Sequence, residues 1–276
     1  MINIGQIHNL PVIKFLSFGA YLDADELGEV LLPNKFIPED LLVDDEVEVF
    51  LYFDSEDRLI ATTQTPKACV NECAYLKVVE SNRVGAFLDW GIDKDLLVPF
   101  SEQQYPMQEG DYYLVYLYID KTDGRIVASA KLDKFIQEEN PDHFTAQQGV
   151  DLIIANSTEL GYKAIINHHY WGVLYKNEVF QRLSFGQSIK GFIKQIRSDG
   201  KIDLSLQGGQ ISRDKDVQKV LEYLKNKNGF APVHDKSDPQ LIKKLFMMSK
   251  GAFKKAIGHL YKQKIIRIDK QGIYLI

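Results

Sequence analysis

A mostly β chain, with three small barrels in tandem followed by a helical domain carrying a short sheet, is what the sequence predicts. Three observations carry it. One pattern occurs three times: Phe18-Gly19-Ala20-Tyr21-Leu22 with Leu31-Leu32-Pro33, Val84-Gly85-Ala86-Phe87-Leu88 with Leu97-Val98-Pro99, and Leu160-Gly161-Tyr162-Lys163-Ala164 with Val173-Leu174-Tyr175. Gly19, Gly85 and Gly161 lie 66 and then 76 residues apart, and Leu31/Leu97/Val173 and Asp44/Gly110/Gly186 keep both offsets. A register that holds at three separate landmarks marks an internal repeat. Each copy, secondly, reads as short strands punctuated by turns. Thirdly, beyond Gly208-Gly209-Gln210 the apolar spacing becomes helical.

Within a copy, Val47 to Phe53 and Tyr112 to Ile119 have strand composition, and Asp54-Ser55-Glu56-Asp57 and Lys121-Thr122-Asp123-Gly124 are turns. Arg58-Leu59-Ile60-Ala61 and Arg125-Ile126-Val127-Ala128 start the next strands, and Gly191 to Ile196, Ser198-Asp199-Gly200 and Lys201 to Leu206 repeat the scheme. The glycine before each ring position predicts the bend that a small closed barrel needs at its corners. About 60 residues of such strands fit a five-stranded OB-type barrel. The predicted domains are barrel 1 over 1–66, barrel 2 over 67–132, a helical connector over 133–149, a degenerate barrel 3 over 150–209, and a helical domain over 210–276. In barrel 2, Tyr112, Tyr116 and Tyr118 fall on one strand face and Tyr113 on the other, and barrel packing is expected of them. In the connector, Phe135, Pro141 and Phe144 with the stretch 134–140 predict a short helix and then a bend. Gly208-Gly209-Gln210 is expected to be a flexible joint.

In the last domain, Val217, Val220, Leu221 and Leu224 predict an amphipathic helix stopped at Asn228-Gly229, and Phe230 to Val233 a short strand. Asp238 is placed to cap a second helix with Pro239 at its first position. Ser249 caps a third, with Met248 and Phe253 as a hydrophobic staple and Phe253, Ala256, Ile257 and Leu260 as the buried stripe. Ile265 to Ile268 and Gly272 to Ile276 flank Asp269-Lys270-Gln271 as a hairpin, which completes a winged helix.

Gly85-Ala86-Phe87-Leu88-Asp89-Trp90-Gly91 with Leu97-Val98-Pro99 resembles the S1-type RNA-binding domain of ribosomal and ribonuclease proteins. The order of copies, and above all the run Met248 to Gly258 with Leu260-Tyr261-Lys262, resembles the conserved virulence factor B (CvfB-like) family of bacterial RNA-binding proteins. That resemblance covers essentially the whole chain. It implies three tandem OB/S1-type five-stranded barrels, then a winged-helix domain, and an RNA-binding rather than catalytic role. It also implies that Tyr21 and Phe87 occupy base-stacking positions in barrels 1 and 2, with aliphatic Leu31 and Leu97 where a second ring would stand. In barrel 3, Lys163 replaces the ring.

Charge decides where binding is expected. The net charge is −5, but residues 1–149 hold 11 basic and 27 acidic residues, residues 150–211 hold 7 and 5, and residues 212–276 hold 15 and 6. A polyanion is repelled by the first half and attracted to the last quarter. The candidate RNA-binding residues in barrel 3 are Lys163, His168, His169, Tyr170, Trp171, Tyr175 and Lys176, beside Tyr162, because rings interleaved with cations suit single-stranded nucleic acid. A structural alternative is that Tyr170 and Trp171 fill the barrel. In the winged helix the candidates are Lys250, Lys254, Lys255, Lys262, Lys264, Arg267 and Lys270. Lys250, at the first helical position, opposes the helix dipole unless a phosphate sits there.

No 18-residue apolar run and no basic, apolar leader is present, so a cytoplasmic protein with no membrane partner is expected. Cys69 and Cys73 lack nearby histidines, none occurring between His8 and His143, so reduced thiols and no metal are expected. No cofactor and no catalytic constellation is expected either. Single-stranded RNA is the expected partner, with acidic residues 1–149 as a spacer or a protein contact. Two rivals stay open: a double-stranded DNA regulator that uses the third helix, and a protein scaffold on the translation machinery.

Overall fold

The computed structural model describes residues 2–139, 144–179, 181–206 and 209–276, with backbone alone over 209–215. The chain divides into two compact units, Met1–Ile136 and Gln137–Ile276.

In the first unit, β1 (Ile7–Leu16), β2 (Gly19–Asp23), β3 (Glu29–Pro33), β4 (Glu46–Phe53) and β5 (Leu59–Thr62) close a barrel in the order β1-β2-β3-β5-β4. Alternate residues turn inward, so Leu10, Val12, Ala20, Leu22, Val30, Leu32, Val49 and Leu51 fill its core. The second copy is β6 (Cys73–Ser81), β7 (Gly85–Asp89), β8 (Leu96–Pro99), β9 (Tyr112–Ile119) and β10 (Ile126–Ser129), in the order β10-β9-β6-β7-β8. Its strands follow the same circuit, but β8 and β10 lie side by side without a hydrogen-bonded ladder among the described residues, so the expected closure is incomplete. The closing seam is short in barrel 1 as well, where it is the single parallel pair Leu31↔Ile60.

The repeat seen in the sequence is a repeat of backbone constraints. A Cβ on Gly19, Gly85 or Gly161 would stand 2.3, 2.3 and 2.0 Å from the carbonyl oxygens of Leu32, Val98 and Leu174, so each bend brings two strands closer than any side chain allows. A bulge interrupts β1 between Val12 and Lys14, β6 between Val78 and Glu80, and the matching third strand between Ile154 and Asn156. The N–H groups of Asp44, Gly110 and Gly186 donate to Val12, Val78 and Ile154 at 2.9, 2.9 and 2.7 Å. All three donors are left-handed, at φ 73°, 88° and 75°, which explains two glycines and an aspartate there.

Barrels 1 and 2 share an apolar seam. Phe50 meets Trp90 edge-on at 5.4 Å, and the Trp90 indole donates to the Lys94 carbonyl. Lys94 donates to the carbonyls of Phe53 and Asp54, both at 2.8 Å. The Gln64 amide reaches Asp93 at 2.6 Å, Lys35 pairs with the same carboxylate, and Arg125 pairs with Asp57 at 2.5 Å.

The helix expected over 134–140 is not what forms over the described part of that stretch. A single 3₁₀ turn spans Leu132–Lys134, and Phe135 then stacks on Tyr116 and Tyr118 at 4.5 and 5.0 Å. Tyr116 and Tyr118 therefore pack on the connector, Tyr112 lies beside Tyr75 at 5.4 Å, and Tyr113 packs against the barrel core as expected. Pro141 lies outside the described residues.

In the second unit, β11 (Gly149–Ser157), β12 (Gly161–Ile166), β13 (Tyr170–Tyr175), β14 (Ser188–Ile196) and β15 (Ile202–Ser205) close barrel 3 in the circuit of barrel 1. The last domain comprises α1 (Gly209–Asn226), β16 (Phe230–Ala231), α2 (Pro239–Phe246), α3 (Lys250–Lys262), β17 (Ile266–Ile268) and β18 (Ile273–Leu275), with sheet order β16-β18-β17. Gly209 and Gln210 belong to α1 and do not form the expected flexible joint. Glycine is tolerated at a helix start, where the first N–H groups have no intrahelical partner anyway. Asp238 caps α2 by accepting the Gln240 N–H at 3.0 Å, and Ser249 caps α3 by accepting that of Ala252 at 3.1 Å. Met248 and Phe253 are both fully buried with Val220, Leu224, Ile257 and Leu260, as a staple requires.

Candidate nucleic-acid interface

The ring position is the same place in all three barrels. Tyr21 pairs across the hairpin with Leu31, Phe87 with Leu97 and Lys163 with Val173. What surrounds it differs. In barrel 1 the ring of Phe18 stands edge-on to Tyr21 at 6.1 Å, and the Lys14 ammonium lies 5.1 Å from the Tyr21 centroid while paired with Glu29 at 2.5 Å. Phe18 is half exposed, at 51%. Sequence reasoning missed it by seeking the second ring across the strand at Leu31. The available signal was the spacing of three residues over the glycine bend, which Val84 and Leu160 interrupt in the other copies.

Barrel 3 builds the position from other chemistry. Asn167 and His168, both left-handed at φ 45° and 67°, turn β12 into β13, and the Asn167 side chain accepts the Asp151 N–H at 2.9 Å. His168 is half-buried and His169 exposed at this tip. Tyr162 and Tyr170 pack against the barrel core, Tyr170 edge-on to Phe144 at 5.3 Å. Trp171 points the other way yet is only 7% exposed. The Lys163 ammonium sits 3.9 Å from its ring centroid and 3.7 Å from the Glu138 carboxylate. Gln137 brings that carboxylate in: its N–H donates to the His169 carbonyl, and the Trp171 N–H donates back to Gln137, both at 2.8 Å. Tyr175 donates to Asp203 at 3.2 Å, and burial, with the Asp203 carboxylate, pushes its phenol above the ordinary value. Lys176 is exposed where the next 3₁₀ turn begins.

A cavity of about 260 Å³ opens beside this cluster, lined among others by Leu160, Lys163, Trp171, Val173, Arg197 and Lys201. Two of its lining residues each carry a buried side-chain nitrogen without a hydrogen-bond partner, Trp171 Nε1 and Arg197 Nε. The carboxylates nearest Arg197 Nε are Asp199 at 3.4 Å and Asp203 at 3.7 Å. Each buried donor left unpaired costs about 1–3 kcal/mol.

On the winged helix, α3 buries Phe253, Ala256, Ile257 and Leu260 and exposes Lys254, Lys255, Tyr261 and Lys262. Lys250 is instead tied down, its ammonium donating to the Lys236 carbonyl at 3.2 Å. Lys264 and Lys270 are exposed, and the Arg267 guanidinium lies 4.3 Å over the Tyr274 ring. Between Asp238 and Asp269 the chain has eight Lys and Arg and no acid. No carboxylate side chain interrupts the cations along this stretch.

A family model for the CvfB-like winged helix domain matches residues 218–275, and one for the S1 domain matches residues 4–64 and 72–131. Conserved virulence factor B of Staphylococcus aureus (strain USA300) is 30% identical over 99% of this chain and 94% of its own length. The chain belongs to the conserved virulence factor B family. A further relative, the uncharacterized protein YitL of Bacillus subtilis (strain 168), is 32% identical over 94% of this chain and 89% of its own. A solved structure described as a multidomain protein with nucleic acid binding domains from Streptococcus pneumoniae aligns over the full length of both chains at 25% identity, with a TM-score of 0.40. This CvfB-like chain thus combines S1 domains with a CvfB-like winged helix domain. Its third barrel shows the strand circuit, bulge and left-handed landmark of the two S1 domains, with the ring position rebuilt.

Two other features of this family member bear on chemistry. Neither Cys69 nor Cys73 forms a disulfide; burial, with the Glu72 carboxylate, pushes both thiols up, Cys73 to about 12. Among the described residues there is no cluster of three or more His, Cys, Asp or Glu placed to hold a metal ion, and no helix long and apolar enough to cross a membrane.

Proposed function

We propose that this protein is a cytoplasmic, non-catalytic regulator of gene expression that binds single-stranded RNA through barrel 3 and the winged helix. The observation that carries the reading is the acid-free stretch from Pro239 to Ile268, whose lysines at 254, 255, 262 and 264 stand exposed on one small domain. Phosphate contacts supply the affinity, so binding weakens by roughly 0.7 log units per log unit of salt for each contact. Replacing Lys254, Lys255 and Lys262 by Ala lowers that slope by about 2, read from fluorescence anisotropy of a labelled oligoribonucleotide across a salt series. An unchanged slope removes the winged helix from the interface. The acidic barrels 1 and 2 serve as a spacer or a protein-contact arm.

A second reading is favoured by α3 alone, whose exposed lysine face is the element that winged helices lay in the major groove of duplex DNA. Competition between a DNA duplex and an RNA strand of the same length separates the two, since a preference for the duplex selects this reading.

A further inference from the structure

The geometry points to the cavity on barrel 3 as a pocket for a single nucleotide, phosphate and base together. Three cations, Lys163, Arg197 and Lys201, line it with one carboxylate, Glu138, while Asp199 and Asp203 stand 3.4 and 3.7 Å from Arg197 Nε. Leu160, Val173 and Trp171 supply apolar wall for a flat ring. At about 260 Å³ it is close to the lower end of small-molecule pockets, about 300 Å³, so it suits one nucleotide and not several. One flank is closed. Gln137 bridges to Tyr170, and a Cβ on Gly200 would touch Glu139 at 3.4 Å, so the described end of the connector packs along this side of the barrel. A strand enters with one displaced nucleotide or with an end.

Two details give the pocket a direction. Trp171 Nε1 and Arg197 Nε are donors without hydrogen-bond partners, and nucleotide oxygens are acceptors. Glu138 already occupies the anion position, 3.7 Å from the Lys163 ammonium, so an entering phosphate displaces a carboxylate. Removing that competitor strengthens binding, a gain that misfolding cannot imitate.

The ligand chemistry is a nucleoside monophosphate unit, free or within RNA, and only the second form rests on the function proposed above. The chain has two tryptophans, and they report separately: the Trp90 indole donates to the Lys94 carbonyl, whereas that of Trp171 lacks a partner. In ¹⁵N-labelled full-length protein, with indole signals assigned by Trp171→Phe, the probes are 5′-UMP, 5′-AMP, uridine, inorganic phosphate and hexauridylate. The nucleotides shift the Trp171 indole saturably and leave Trp90 in place, while uridine and phosphate each bind at least about tenfold more weakly. Arg197→Gln or Lys163→Gln weakens nucleotide binding about tenfold, and Glu138→Gln strengthens it by up to about fivefold. If the oligonucleotide binds with its salt slope intact while Trp171 stays still, the pocket is wrong and the RNA reading survives. If 5′-UMP moves Trp171 while no oligonucleotide binds, the pocket stands as a free-nucleotide site and the RNA reading falls. Unchanged affinity in all three variants also overturns the pocket.

Discussion

Barrels 1 and 3 put different chemistry at one position of one scaffold. In barrel 1 the position is open, with Phe18 and Tyr21 edge-on at 6.1 Å and Lys14 beside them, but the surrounding chain is acidic. In barrel 3 the ring is gone, a lysine lies 3.9 Å over a buried tryptophan, and the connector covers the pair. The backbone tolerates either arrangement because bulge, bend and left-handed corner are fixed independently of what the outer face carries. Fold and surface chemistry have thereby separated within a single chain.

The comparison can be broken first at the scaffold. Gly19→Ala and Gly161→Ala each force a Cβ against a carbonyl oxygen, at 2.3 and 2.0 Å, and each should cost about 3 kcal/mol in urea unfolding, while Gly110→Ala, with open space around it, should cost about 1. Unequal costs at Gly19 and Gly161 would mean that the two barrels are not the same scaffold. Charge comes next. Reversing Lys254, Lys255 and Lys262 to Glu should lower RNA affinity about 100-fold at low salt by anisotropy, against little change for reversal of three exposed acids in barrel 1. Phe18→Ala should cost less than about 1 kcal/mol of affinity, the low end for stacking, and a loss exceeding that of the charge reversal would move the interface into barrel 1.

The smallest effect concerns the connector's attachment. Burial tends to raise the Glu102 carboxyl, but hydrogen bonds from Lys134 at 2.7 Å and Ser129 at 2.6 Å outweigh it and hold the group below its ordinary value. A depressed carboxyl contributes stability above its unfolded value, about 4.3, and loses it as pH falls through the lower folded value. Glu102→Gln should therefore remove no more than about 1 kcal/mol of acid-dependent stability, seen as a flatter melting temperature between pH 5 and about 2.

Much of this architecture was legible because it rests on residues with local backbone meaning. Gly19, Gly85 and Gly161, the corners at Asp44, Gly110 and Gly186, and the caps Asp238 and Ser249 each state a geometry in one letter. What escaped was set by distant partners. Phe135 reads as helical until Tyr116 and Tyr118 are seen to hold it, and Trp171 reads as an RNA contact or as barrel filling until its backbone N–H is seen on Gln137 and Lys163 over its ring. Lys250 reads as a phosphate ligand at a helix start, and its contact with the distant Lys236 carbonyl is not visible in that reading. The basic face of α3 was visible as a pattern, because helical spacing alone separates its lysines from Phe253, Ala256, Ile257 and Leu260.

Photo-crosslinking of one bound oligoribonucleotide, mapped by mass spectrometry, tests the central claim most directly. The account predicts adducts on the α3 and wing lysines and around Lys163, with few before Gly149. Adducts concentrated on Phe18, Tyr21 or Phe87 would contradict it.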